Sequence, residues 1–217
     1  MPYDPIKDFA AVTFVAASPN VLVVNPQVPA KTLPELVQLI RDNPGTYSCA
    51  GPGVGSTPHL SGELFRLTYK LDLVHVPFTG AAPAVQATIG GHTPIAFTAL
   101  PSSMSAIQTG QVRAIGIAAT ERSARIPDLP TFAEEGVKDQ GADTLTGIVV
   151  PAATPKDIVA LLAREIAKSV GQPEVRERLA QLGFRPVANT PNEFSARIKL
   201  EIDKWGKVVR DANLKIE

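Results

Sequence analysis

The apolar positions of this chain fall into short runs broken at intervals by proline and glycine. Val12–Ala17, Val21–Val24, Tyr47–Ala50, Leu73–Val76, Ile95–Phe97, Val112–Ala118, Leu145–Val150 and Arg185–Val187 are brief and mostly rich in Val and Ile. Bounded by Gly or Pro, they predict strands buried on both faces, as in a parallel sheet. The segments between them, Leu33–Asn43, Pro58–Lys70, Ala84–Ile89, Ser102–Thr109, Lys156–Val170, Glu174–Leu182 and Asn192–Asp211, predict helices. In the last, Phe194, Ile198, Ile202, Trp205 and Val209 recur at spacings of three and four, which makes a stripe that packs on a sheet, with Trp205 in the core.

The helix starts share a formula. Thr32–Glu35, Thr131–Glu134, Thr154–Asp157 and Thr190–Glu193 all read Thr-x-x-acid. In that pattern the Thr hydroxyl accepts the N3 backbone N–H, and the acid accepts the N-cap N–H. Pro34, Pro155 and Pro191 fall inside the first turn, and Pro58 and Pro173 suit N1, where a missing N–H costs nothing. Strand and helix alternate most regularly over residues 25–118. The fold class is therefore α/β, with one complete doubly wound lobe at 25–118. Residues 1–24 and 119–217 are expected to form a second, partial lobe with the hinge strands. Within it, residues 123–217 hold only two convincing strands. That sheet would be marginal alone, so it is incomplete or borrows strands from residues 1–20 or another chain.

Composition narrows the function. Lys plus Arg and Asp plus Glu are equal at 21 each among 217 residues, so no basic footprint points to nucleic acid or an anionic membrane. The 44% hydrophobic content excludes a disordered chain. The one cysteine, Cys49, can neither pair within the chain nor build a zinc site by itself, and in mid-strand it reads as inert core. No apolar run reaches the ~20 residues of a transmembrane helix. The opening Met1–Asp8 has neither basic nor apolar signal-peptide character.

Candidate chemistry sits in three loops after predicted strands. Gly51-Pro52-Gly53-Val54-Gly55-Ser56-Thr57 leads into a helix, so converging N–H groups and the dipole end suit an anion. It lacks the Lys of a phosphate-binding Walker loop and the third Gly of a dinucleotide fingerprint. What remains is a modest anion such as a carboxylate; the structural alternative is a plain tight turn. Phe78-Thr79-Gly80-Ala81 and Phe97-Thr98-Ala99 follow two more strands. In an open parallel sheet such loops share one edge and can face one crevice.

The histidines are His59, His75 and His92. None pairs with another at i,i+4, and no acid or Cys is placed as a ligand, so neither metal nor cofactor is expected. His59 is three residues from Ser56, where a Ser–His hydrogen bond would orient the loop. Arg66 and Lys70 fall on the solvated side of the following helix.

Several stretches carry a family resemblance. Tyr3-Asp4-Pro5-Ile6-Lys7-Asp8-Phe9, Gly55-Ser56-Thr57-Pro58-His59-Leu60-Ser61-Gly62-Glu63-Leu64-Phe65 and Val74-His75-Val76-Pro77-Phe78-Thr79-Gly80 are three of them. Leu129-Pro130-Thr131-Phe132-Ala133-Glu134-Glu135-Gly136, Pro151-Ala152-Ala153-Thr154-Pro155 and Trp205-Gly206-Lys207-Val208-Val209 continue the match. Together they resemble the receptor proteins of tripartite tricarboxylate transporters, the Bug or TctC-like family, over essentially the whole chain.

The resemblance implies a periplasmic-binding-protein-like fold and a receptor that delivers a small carboxylate to membrane transporter subunits without turnover. The ligand-binding residues it implies are Gly53, Val54, Gly55, Ser56, Thr57, His59, Phe78, Thr79, Gly80, Ala81 and Thr98. Many relatives carry Asp where this chain has Thr98, which weakens the expectation of an amino-group ligand and permits a purely acidic or aromatic acid. Relatives also carry an export signal and a lobe-one opening with a Pro-Gly-Gly-Gly type loop ahead of the segment matched here. The expected location is periplasmic by resemblance, and cytoplasmic if the gene starts at Met1. Without that opening, poor binding is expected, with either a homodimer through the exposed lobe-one edge or a partly disordered second lobe. Two alternatives stand beside the receptor: a small enzyme acting on an organic acid through Ser56 and His59, and a non-binding, self-associating remnant.

Overall fold

The computed structural model describes residues 3–137 and 141–214. Among them are seven strands and seven helices. In chain order they are β1 (Phe9–Val24), α1 (Leu33–Asp42), β2 (Ser48–Pro52), α2 (Thr57–Tyr69), β3 (Val74–Phe78), α3 (Ala81–Ile89) and β4 (Ile95–Ala99). Then come α4 (Leu100–Gln108), β5 (Arg113–Ala118), β6 (Asp143–Pro151), α5 (Lys156–Val170), α6 (Pro173–Gln181), β7 (Arg185–Pro186) and α7 (Pro191–Asp211). No helix among the described residues is long and apolar enough to cross a membrane.

Contacts divide the chain into two compact units. One comprises the described residues up to Ser18 together with Leu145–Gly206; the other comprises those of Pro19–Thr144 and from Lys207 onward. The second unit thus takes in Pro19–Val24 and 119–144 as well as the alternating stretch 25–118.

The sheet of this second unit runs β3-β2-β4-β1-β5. β2 is parallel to β3 and β4, whereas β1 is antiparallel to both β4 and β5. The strand period is two, so neighbours on β4 face opposite sides. Ala96 joins Val21, Val23, Ala50 and Ile117 against Val85 of α3 and Leu100 and Met104 of α4. Phe97 faces the other way, 5.6 Å from Phe65 of α2 and 6.1 Å from Phe132, ring centre to ring centre. Helices therefore cover both faces, as in a doubly wound lobe.

The first unit is built on the front half of β1, which pairs antiparallel with β7 through Ala16–Pro186 and Ala17–Arg185. Asn189 ties in the start of α7: its carbonyl accepts the Thr13 hydroxyl at 2.7 Å and its side-chain oxygen accepts Phe14 N–H at 2.9 Å. Phe14 stacks on Phe194 at 5.9 Å, and a side chain at Gly147 would collide with that ring. Only Ala163 and Val170 of α5 are buried, and none of α6. Ile148, Val149, Ile158, Leu161 and Leu182 lie between 41% and 45% exposed.

Several local expectations are corrected. Val12–Ala17 and Val21–Val24 are one continuous strand. At α1 and α7, Thr32 with Glu35 and Thr190 with Glu193 make the reciprocal bonds of a capping box. Thr131 and Glu134 make the same pair of bonds at 2.7 and 3.1 Å, yet no helix follows. Gly136 takes a positive φ of 84° and ends the turn at once. Thr154 caps nothing, because Pro155 occupies the N-cap of α5 and the hydroxyl stands one residue too early. In α7 the buried residues are Phe194, Trp205 and Val208, while Ile202 is 42% exposed. Trp205 Nε1 donates to Glu201 at 2.7 Å.

Candidate functional site

Because β3, β2 and β4 are adjacent and parallel, the segments that follow them emerge at one edge of the sheet. Pro52 is in register with Phe78, and the Gly53 N–H donates to the Phe78 carbonyl at 2.9 Å, which joins the first two loops directly. Each loop opens a helix: Ser56 is the N-cap of α2, Gly80 of α3 and Ala99 of α4. Three helix N-termini therefore stand together, with their positive dipole ends at this edge.

The first turns of these helices are unlike the others. α1, α5, α6 and α7 each carry an acid there, Glu35, Asp157, Glu174 and Glu193, whereas α2, α3 and α4 carry none. No carboxylate of those turns competes with an incoming anion. The N–H groups of Val54 and Thr57 and the hydroxyls of Thr57 and Thr79 have no partner among the described residues. Thr79, Gly53 and Val54 are exposed, and Gly55, Ser56, Thr57, Phe78, Gly80 and Ala81 are half-exposed.

The glycine loop is held from behind. Gly53 and Gly55 have φ of 34° and 80°, the left-handed side that favours glycine. Ser56 Oγ caps α2 by accepting His59 N–H at 3.4 Å, and donates toward the carbonyls of Pro52 and, at 2.9 Å, Gly53. The His59 ring is 3% exposed. Its Nδ1 accepts Gly55 N–H at 3.0 Å, so the expected side-chain Ser–His bond is replaced by one from the imidazole to the loop backbone. Thr98 is fully buried, with its hydroxyl 3.5 Å from the Ala99 carbonyl.

Beneath the loop lies a polar cluster that sequence reasoning missed. His59 Nε2 is 3.8 Å from Glu63 Oε1, and Arg66 Nε and Nη2 donate to Glu63 Oε2 at 2.9 and 2.8 Å. Arg66, expected to be a solvated bystander, thus pairs a carboxylate that is only 6% exposed. His75 stacks on His59 at 3.9 Å, and a side chain at Gly51 would meet His75 Nε2 at 2.6 Å. Burial pushes the imidazole pKa of His59 below its ordinary value, opposed by the charge of Glu63; burial and His59 bring His75 to about 4. Burial pushes the Cys49 thiol up to about 12, so it stays protonated. The i,i+4 spacing of His59 and Glu63 was the signal available in the sequence. Among the described residues no group of His, Cys, Asp and Glu could hold a metal ion.

A groove of about 770 Å³ lies elsewhere, where β5 begins, lined in part by Ile107, Val112, Ile126 and Leu129. Its Arg113 donates to the carbonyls of Pro26, Val28 and Ala30 and so ties down a loop.

The family described as "Tripartite tricarboxylate transporter family receptor" matches residues 1–214. The chain belongs to that family. It is 32% identical to the protein of the tcbD-tcbE intergenic region of Pseudomonas sp. over 99% of this chain and 64% of that protein. It thus spans just under two thirds of that relative's length. Among solved structures it resembles a periplasmic transporter at 40% identity and a TM-score of 0.94, covering 100% of this chain and 72% of that one. An R. palustris protein solved with adipate matches at 29% identity and a TM-score of 0.93, over 98% of this chain and 71% of that one. MatC from Rhodopseudomonas palustris, solved with malate, matches at 32% and 0.88, over 95% and 71%.

Proposed function

We propose that this chain is the carboxylate-gripping part of a periplasmic receptor that hands a small organic acid to a tripartite tricarboxylate-type transporter. The observation that carries the reading is the edge where α2, α3 and α4 begin together without an acid in any first turn. Free donors on Val54, Thr57 and Thr79 suit the oxygens of a carboxylate, held by N–H and O–H groups. Similarity to structures holding adipate and malate supports the ligand class. Thr98, buried here, belongs to the site only as a wall behind Ala99. The grip therefore rests on Gly53–Thr57 and Thr79–Ala81.

Binding without turnover fits the geometry better than an enzyme does. A nucleophile needs its base within hydrogen-bond reach, and here the His59 imidazole faces Gly55 N–H while the Ser56 hydroxyl faces backbone carbonyls. The partners on this reading are the acid and the membrane transporter subunits. The exposed apolar residues of α5 and β6 give a second copy a surface to pack on.

Calorimetry with malate and adipate tests the grip. Thr79→Ala is expected to weaken binding by about 1–3 kcal/mol, the cost of leaving an anionic oxygen unpaired. Ser56→Ala should lower stability by about 1 kcal/mol through its cap, and Lys70→Ala should leave binding unchanged. Equal losses at Thr79 and Lys70 would refute a loop-based site.

A further inference from the structure

We propose that His59 is a positioning residue for this loop: its neutral ring holds Gly55 N–H, so protonation of His59 releases the loop and weakens carboxylate binding. The proposal rests on the receptor reading above for its ligand, but its structural half stands without one.

The geometry leaves little choice of tautomer. Nδ1 accepts Gly55 N–H at 3.0 Å, so the ring proton is on Nε2, which faces Glu63 Oε1 at 3.8 Å. Glu63 is in turn fixed by Arg66, so a continuous chain runs Gly55, His59, Glu63, Arg66 along one side of α2. The groups around the ring are Glu63 and Arg66 from α2, His75 from β3 and the Cys49 thiol from β2. Cys49 stays neutral, Arg66 is paired with Glu63, and the two imidazoles are the basic nitrogens of the cluster. A proton on Nδ1 sets two donors, Nδ1–H and Gly55 N–H, against each other. Gly55 is then free to leave its φ of 80°, and the converging N–H groups of the loop lose their arrangement. Burial lowers both imidazoles, His75 to about 4, and His59→Asn tells them apart, because a pH-dependent change that it abolishes belongs to His59.

The sign separates this role from direct contact. A histidine that paired its own charge with the ligand would strengthen binding as pH falls; a positioning histidine weakens it. The full chain would be titrated with malate and with adipate from pH 7.5 to 5, beside His59→Asn and His59→Leu. Asn places an acceptor where Nδ1 stood and carries no proton in this range, whereas Leu offers none. Wild type is expected to lose about tenfold in affinity on acidification beyond what His59→Asn loses, a ratio worth one hydrogen bond. Protonation of the acid itself is common to both proteins and cancels. His59→Asn should match wild type within a few-fold at pH 7.5, and His59→Leu should be weaker throughout.

In parallel, the Gly55 amide resonance of the ligand-free chain should follow the His59 titration in wild type and stay still in His59→Asn. A Gly55 amide indifferent to pH, identical pH slopes in wild type and His59→Asn, or affinity that rises in acid would each overturn the proposal. If no protein binds either acid at any pH, the receptor reading fails, and the Gly55 resonance still decides the role of His59.

Discussion

His75 stands half-buried against His59, and its Nε2 has no partner among the described residues. Burial and the neighbouring ring hold its pKa near 4, below the ordinary 6.5 that it regains on unfolding. A depressed imidazole pKa means the unfolded chain binds the proton first. Its contribution is therefore complete above pH 6.5 and lost as pH falls toward 4. We expect stability to fall by on the order of 2 kcal/mol across that window, and His75→Leu to flatten much of the slope. Thermal unfolding at pH 7, 5.5 and 4.5 would show it, and parallel slopes in the two proteins would count against it. Backbone N–H bonds likewise hold the carboxylates of Asp4, Glu134 and Glu193 below their ordinary pKa, so these stay ionised further into acid. At this scale the glycine loop was legible, since Gly at a strand-to-helix junction reports backbone geometry directly. The contact of His75 with His59 beneath it was not, because His75 reaches His59 only through the pairing of β3 with β2.

The helices test how far a local motif carries. Thr32 and Thr154 open the same Thr-x-x-acid formula, but only Thr32 accepts an N3 N–H. Thr32→Ala should therefore cost about 1 kcal/mol, and Thr154→Ala less than about 0.5 kcal/mol. Urea denaturation would separate them; equal losses would mean that the formula acts wherever it stands. Helix positions were legible because proline and capping residues act within one turn. The end of the Thr131 turn was legible too, had Gly136 been weighed. The continuity of β1 was not, since Pro19 reads as a break. Pro19 is outside the registers that Ala16 and Ala17 make with β7 and Asn20–Val24 make with β4 and β5.

For the molecule as a whole, alternation along the chain reveals an α/β lobe but not which strand lies between which. β1 is antiparallel and sits inside the order, a choice made by packing between strands distant in sequence. The two units also differ in burial. Val21–Val24, Ile95 and Ile117 are wholly buried, whereas α6 buries no residue. Opening of a segment costs less where fewer apolar contacts hold it. Amide exchange should therefore be fastest in α5 and α6 and slowest in β1, β4 and β5. Uniform protection across these elements would contradict this.

The place of β1 bears on how the chain is made. It is the first of the described strands to be synthesised, yet both its neighbours in the second unit, β4 and β5, come much later. Val21–Val24 therefore emerge, from the ribosome or from a membrane pore on export, some 70 residues before the first of these partners. For that interval an apolar strand with two open edges is exposed, and it invites pairing with other nascent chains. β2, β3 and β4 can assemble as they emerge, so the lobe closes from the middle of the chain back toward its start. A chaperone that covers the nascent segment around β1 is the factor on which the yield of this fold should depend most.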